Sequence, residues 1–575
     1  MGGIGVRRTG AGSRRQVVTL PGARPGRAWR VAALVLATSL AAAGCSGDGG
    51  GDGGPAAAAT APQRVDRLTI AVDQDRGPLN VFVDADPRLL ELVYDTLLAP
   101  SPYVGEGRPW LAEQIRQIDA RTWEAQIRQG VTWQDGRPFT ADDVAFTFRY
   151  FKTAPPVGSW THHVNDVPTI EGSEVVGADT VRLTCAFACP DLGPITLSYL
   201  PILPRHLFEG VAKPAEYTGL PVGTGPYRLT DYSPTSGYRF TANADYFAGA
   251  PLVGELVMPI IPDVNATFTA LRTGEVDATT RSVPPELVDQ FGRQRGLEVV
   301  TTKPLKFTEL RMNFVRPPFD LPEFRQAVSR SIDRDDLLRT VVLGQGRPAD
   351  KGYPHPDSPW TNPLLTTPTD IAAARGILDG LGYADRDGDG VRERPSGEPL
   401  SFTIKANGAE PTHVRAAELV AGHLDAVGIA ATVQAIDVAA LKSVASSRDF
   451  DFTVAEIGAH GVADPTQFIM SHRSGYLWQS PKVPYPEWDA LFERWKATTT
   501  VPERTAVMFE MQELFNRQPT AVPLYYPDER YAFRSVAFDG WAESPGFGII
   551  HKWSFVPRQV AREVNALTQE VGPRR

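Results

Sequence analysis

The chain has 575 residues, 42% of them apolar and 22% charged, with a formal net charge of -9. That length exceeds one hydrophobic core and suggests about three to four domains, and the composition is that of a globular protein rather than a disordered or membrane-spanning one. All seven basic residues before Cys45 are arginines and no acidic residue precedes it, so the remainder carries a net charge of -16; an acidic body of this kind repels phosphate backbones and excludes nucleic acid as the expected partner.

In chain order, residues 1–44 read as an export signal. Arg24, Arg27 and Arg30 flank the apolar stretch 31–43, which is too short for the roughly 20 residues of a spanning helix but suits a signal h-region. The stretch ends in Leu40-Ala41-Ala42-Ala43-Gly44-Cys45, which resembles a bacterial lipobox and implies a diacylglyceryl group on Cys45. An ordinary secretory signal is the alternative. Residues 46–63, rich in Gly, Ala and Pro, form a flexible tether that reaches on the order of 25 Å by random-coil scaling. The expected location is extracytoplasmic, on a lipid anchor.

The first ordered element is a short buried strand at Leu68-Thr69-Ile70-Ala71-Val72, with the length and β-branching such strands favour. Thr140-Ala141-Asp142-Asp143 has capping-box form, and the helix it opens places Val144, Phe148 and Phe151 on one face. Cys185 and Cys189 are the only cysteines besides Cys45; in an exported protein they predict a local disulfide, a two-thiol metal site being the alternative. The segment 411–426 predicts a helix with Val414, Ala417 and Leu424 inward, stopped by Gly428 and followed by a strand at 429–436. Pro502 lies in the first turn of another helix, with a strand at 522–526 after it. Helices between strands predict mainly α/β domains.

More specific strings begin at Leu111-Ala112-Glu113 and Trp123-Glu124-Ala125-Gln126-Ile127-Arg128, continuing through Gly130-Val131-Thr132-Trp133-Gln134-Asp135-Gly136-Arg137-Pro138-Phe139 into that capped helix. Leu203-Pro204-Arg205-His206, Pro221-Val222-Gly223-Thr224-Gly225-Pro226-Tyr227, Asn243 with Tyr246 and Gly249, Ala270-Leu271-Arg272-Thr273-Gly274-Glu275-Val276-Asp277, Asn313, Phe324-Arg325-Gln326-Ala327-Val328 and Ile332-Asp333 follow. In this order and spacing they resemble the family 5 extracellular solute-binding proteins, which serve importers for peptides, nickel and related ligands. The resemblance implies a mixed α/β fold of the type II periplasmic-binding-protein kind, with two hinged lobes and an inserted subdomain. Mapped onto this chain, lobe I is 65–95, 205–304 and 525–575, with the insertion at 96–204, and lobe II is 305–524. It further implies a monomer that captures an oligopeptide or dipeptide-like solute and hands it to an ABC permease with its ATPase subunits. A non-peptide cargo (oligosaccharide, opine-like compound, nickel chelate), a ligand-sensing lipoprotein and a secreted hydrolase are the rivals in descending order. The last finds no nucleophile elbow or Walker loop to stand on.

Several residues invite a sharper reading. Gly223-Thr224-Gly225-Pro226 is a structural turn rather than a phosphate loop, because Pro226 removes a backbone donor. Asp385, Asp387 and Asp389 occupy positions 1, 3 and 5 of a calcium-type loop with Glu393 at position 9, but Ser396 stands where a bidentate Glu belongs. A solvated acidic turn is the main reading, structural Ca²⁺ the alternative, and no other cofactor is expected. In peptide-binding members of the family an Asp holds the ligand's ammonium group a few residues before an acidic-Pro pair; here Gly461 takes that place within His460-Gly461-Val462-Ala463-Asp464-Pro465. Either Asp464 does that work or the amino terminus is gripped differently. Trp160, Trp360 and Trp478, with Tyr94 and Tyr353, are the aromatic candidates for cleft walls, joined by His460, Gly461 and Asp464.

Overall fold

The structure is a computed structural model; it describes residues 64–83, 86–99, 107–153, 164, 169–302, 306–458, 465–474, 485–543, 548–564 and 569–570. Cys45, Trp160, His460, Gly461, Asp464 and Trp478 lie outside them. No helix among the described residues is long and apolar enough to cross a membrane.

Two large sheets organise the chain. The first has seven strands in the order 297–302, 529–534, 278–279, 65–71, 253–258, 237–242, 227–233. Its central strand, Val65–Ala71, runs parallel to Val253–Met258 and to Ala278–Thr279. The period-2 alternation of a strand sends Leu68 and Ile70 into the main core of lobe I and Ala71 to the opposite face, against Phe268, Leu271 and Phe291. A four-stranded antiparallel sheet, ordered 112–119, 122–127, 180–185, 170–175, is covered by the helix Ala141–Thr153. Its buried residues, Val144, Phe148 and Phe151 among them, belong to the same hydrophobic cluster as Leu68 and Ile70, so the two sheets share one core.

The second large sheet has six strands in the order 346–348, 521–527, 306–312, 452–458, 401–407, 430–436. Ser401–Asn407, the helix Pro411–Asp425 and Ala430–Ile436 form a parallel crossover unit. Ala417, Val420 and Leu424 of that helix are fully buried against the sheet, while Val414 is half-buried. The helices Pro486–Ala497 and Val501–Arg517 build a separate core around Trp488, Trp495 and Met508.

The chain leaves the seven-stranded sheet at Thr302, enters the six-stranded one at Lys306, and returns between Pro527 and Glu529. The return therefore falls at Asp528, not at 525 as the sequence mapping has it. The apolar run ending at Tyr526 marks a strand, but the pairing of Gly346 with Pro527 carries that strand further inside lobe II.

Candidate functional site

The family-like strings meet each other in space. Asp143 is buried and accepts from Thr140 N (2.9 Å), Thr140 Oγ1 (3.1 Å) and Arg205 N (3.0 Å). The expected capping box is thus half-formed, for the Thr140 hydroxyl donates to Asp143 instead of accepting from its amide. His206 Nε2 and Asp135 Oδ2 are 2.6 Å apart. Gly223 packs so closely on the end of helix Pro87–Val93 that an added Cβ would lie 1.8 Å from Val93 O. Thr224 Oγ1 donates to Asp95 (2.9 Å), whose carboxylate also accepts from Trp110 Nε1 (2.7 Å), Tyr246 OH (3.0 Å) and Lys552 Nζ (3.0 Å). These motifs hold lobe I together, and Gly223-Thr224-Gly225 serves as a packing turn.

The aromatic candidates separate. Trp360 is 4% exposed and packed with Trp488, Trp495 and Phe468 in a lobe II core, so its placement as a cleft wall is corrected. The Pro- and Ser-rich stretch around it resembles a surface loop. However, Gln512 pins it inward, donating to Trp360 O (2.7 Å) and accepting from Asn362 N (2.8 Å). Tyr94 is likewise corrected to a core residue: it is 3% exposed, closes the helix Pro87–Val93 with an N–H donated to Leu90 O, and belongs to the lobe I cluster. Tyr353 is half-buried between Phe307 and Phe468, each ring centroid 4.9 Å away, and lines a lobe II cavity of about 90 Å³ with Glu309, Arg311 and His472.

Cys185 and Cys189 are bonded, with Cα atoms 6.4 Å apart. The ligand atoms of Asp385, Asp387, Asp389 and Glu393 lie within 4.8 Å of one another. Each carboxylate already accepts from its own loop, Asp385 from Gly388 N (2.7 Å) and Glu393 from Arg386 N (2.8 Å) among them.

Where the two large sheets meet, a chain of ionised side chains passes from lobe to lobe. In lobe I, Arg88 pairs with Asp86 (2.7 Å) and donates to Thr280 O (3.1 Å). Glu529 accepts from Tyr531 OH (2.8 Å) and meets Lys306 Nζ at 2.5 Å; Lys306 also reaches Glu456 of lobe II at 3.0 Å. Arg281 of lobe I lies 3.5 Å from Glu410 at the start of helix Pro411–Asp425, and Arg415 of that helix lies 3.8 Å from Glu286 of lobe I. Burial works against the Lys306 charge, yet Glu456 and Glu529 outweigh it and hold its pKa well above the usual lysine value. Burial likewise opposes the Glu529 charge, and Lys306 and Tyr531 more than offset it, leaving its pKa low. His413 goes the other way: burial lowers its pKa against the pull of Glu456 and Glu410.

Around this chain five buried polar atoms have no hydrogen-bond partner: Thr280 Oγ1, Arg281 Nε, Thr302 Oγ1, His413 Nδ1 and Arg415 Nε. Buried polar groups in folded proteins are paired as a rule, and an unpaired one costs about 1–3 kcal/mol. These five atoms, drawn from both lobes, lie along the ion-pair chain that joins them. None of these residues is conspicuous in the sequence; they come from six separate segments that only the crossing of the lobes assembles.

Comparison with known proteins agrees with this architecture. Residues 106–479 match the model of the family described as bacterial extracellular solute-binding proteins, family 5 Middle. The oligopeptide-binding protein AppA of Bacillus subtilis is 25% identical over 443 residues, covering 73% of this chain and 78% of its own. The structure of AppA in complex with a nonapeptide superposes with a TM-score of 0.71 at 23% identity, over 82% of this chain and 95% of that one. NikA from Brucella suis, in complex with Fe(III)-EDTA, gives a TM-score of 0.74 at 22% identity, over 85% and 99%.

Proposed function

This chain belongs to the family 5 bacterial extracellular solute-binding proteins, and we propose on that premise that it captures a peptide between its lobes and delivers it to an ABC permease. The observation that carries the reading is the set of five unpartnered polar atoms at the lobe junction. A peptide supplies what they lack: carbonyl oxygens for the two guanidinium N–H groups, backbone amides and carbonyls for the hydroxyls and His413. Its termini also suit a site whose cations and carboxylates stand in exchangeable pairs. Affinity drawn from main-chain groups tolerates many side chains. Contacts to both lobes favour the closed state by their differential affinity. The protein performs no chemistry; separate ATPase subunits drive release.

In the same reading the chain is a monomer held outside the cytoplasmic membrane by a lipid on Cys45. No cofactor takes part in capture. A calcium-type ion held by Asp385, Asp387, Asp389 and Glu393 is the structural alternative to a solvated turn, supported by the convergence of their oxygens; a rise in melting temperature with millimolar Ca²⁺ that Asp387→Asn abolishes is its test. Gly461, standing where peptide-binding members carry Asp, favours a second reading in which the same closure takes a sugar or metal chelate.

Native mass spectrometry of protein purified without refolding identifies the cargo, and small-angle scattering with that cargo reads closure. The expected result is a bound peptide, a smaller radius of gyration, and affinity at least about 10-fold weaker in Arg281→Ala, as for loss of one buried charged partner. Absence of compaction with any peptide, sugar or metal chelate rejects the reading.

A further inference from the structure

Away from the lobe junction, the inserted subdomain meets lobe II at a knuckle made by the disulfide. The Cys185–Cys189 bond closes Ala186, Phe187 and Ala188 into a short loop. That loop is nailed to its own sheet: Cys185 N donates to Arg121 O (2.8 Å), Cys189 N to Ala120 O (2.9 Å), and Trp123 Nε1 to Cys189 O (3.0 Å). Facing it is the first turn of helix Val501–Arg517. Arg504 there donates to Ala188 O and to Asp191 Oδ1, and lies 3.8 Å from the centroid of the Trp495 ring. Its Nε donates to Thr498 Oγ1 at 3.2 Å. Phe187 sits edge-on to Trp495 (6.3 Å), with Lys496 Nζ 5.9 Å from the Phe187 centroid. The side chains of Asp191 and Arg504 are both 0% exposed.

Two details separate this ion pair from Asp95–Lys552, another pair with both side chains buried. The Asp95 pair lies within lobe I, and its carboxylate also accepts from Trp110, Tyr246 and Thr224. The Asp191–Arg504 pair joins residues 313 apart, on elements that belong to different lobes, and it is incomplete, because Asp191 Oδ2 and Trp495 Nε1 are buried without partners. Separation of the lobes would return both charges to water, and hydration offsets much of what the pair contributes when shut. Such a contact is strong enough to bias the hinge and weak enough to release.

We propose that the disulfide knuckle and Arg504 form a clasp that sets how tightly cargo is held without touching it. The inference rests on the hinge-closure reading above. A binding protein whose competent state is only fractionally populated has its affinity reduced by that fraction, and the clasp raises the fraction. The disulfide keeps the Ala188 carbonyl and Phe187 presented to lobe II as one rigid unit.

Small-angle scattering of cargo-free protein, with titration of the co-purified cargo, tests the clasp in Asp191→Asn, Arg504→Lys and the Cys185→Ser/Cys189→Ser pair. Each variant is expected to give a larger radius of gyration without cargo and an affinity about 10-fold weaker or more. The charge swap Asp191→Arg with Arg504→Asp is expected to recover part of both. Should Arg504→Lys not fold, Asp191→Asn reads the same contact with a nearly isosteric side chain. Folded variants with unchanged size and affinity overturn the clasp while leaving the closure reading intact. If the wild type does not compact with any cargo, the closure reading falls and the clasp falls with it, an outcome distinct from the preceding one.

Discussion

Asp95 shows how one side chain can bind distant parts of a chain into a lobe. Its carboxylate is fully buried and gathers donors from residues 110, 224, 246 and 552. Removing one partner of a buried ion pair leaves the other uncompensated, so Asp95→Ala is expected to lose about 3–5 kcal/mol, read by urea unfolding. Two histidines set the acid limit. His472 uses both ring nitrogens, one toward Phe468 O (2.9 Å) and one toward Thr520 Oγ1 (2.9 Å). His551 faces Ala542 O (3.0 Å) with Nε2 and accepts from Trp553 N (3.2 Å) with Nδ1. Burial lowers both to about 4 from an ordinary 6.5. Because the folded value is the depressed one, the unfolded chain binds more protons between these limits. Stability is therefore full above about pH 6.5 and falls as pH drops toward 4, by up to about 1.4 kcal/mol per pH unit for each histidine. His472→Gln and His551→Gln are expected to flatten that slope in unfolding measured across pH 4–7.

Among the elements, helix Val501–Arg517 is the one whose start was written most plainly. Pro502 marks its first turn, and Thr500 and Glu503 complete a capping box, with Glu503 N donating to Thr500 Oγ1 (3.4 Å) and Thr500 N to Glu503 (3.1 Å). Thr500→Ala is expected to cost about 1 kcal/mol in thermal unfolding. The same helix start orients Arg504, so a measured effect on cargo affinity beyond that cost would report on the clasp. Other elements were legible to within a residue or so: the predicted helix at 411–426 is Pro411–Asp425 and the strand at 429–436 is Ala430–Ile436. Apolar period and turn residues suffice for these because both act within one element. The box at Thr140 misled in detail, since the Asp143 carboxylate is shared with Arg205, 62 residues away.

For the whole molecule, the division of labour between ends and body has a direct test. Cys45→Ser is expected to abolish incorporation of labelled fatty acid and to release the protein from the membrane fraction, while residues 64–575 keep the melting temperature and cargo affinity of the body. The order of its motifs already pointed to a solute-binding architecture. The sites were harder to read. Trp360 and Tyr94 looked like cleft aromatics and are core residues, while Arg281, Lys306, His413 and Arg415 carried no local signal and converge at the lobe junction. By itself, the amino-acid order determined the elements and the class of fold, because propensity, apolar period and motif spacing are local or additive along the chain. Only the tertiary structure decided which charges face one another, which tryptophans are covered and where the insertion touches lobe II. Those outcomes depend on contacts between segments hundreds of residues apart, and a side chain's burial or partner is set by whatever packs against it.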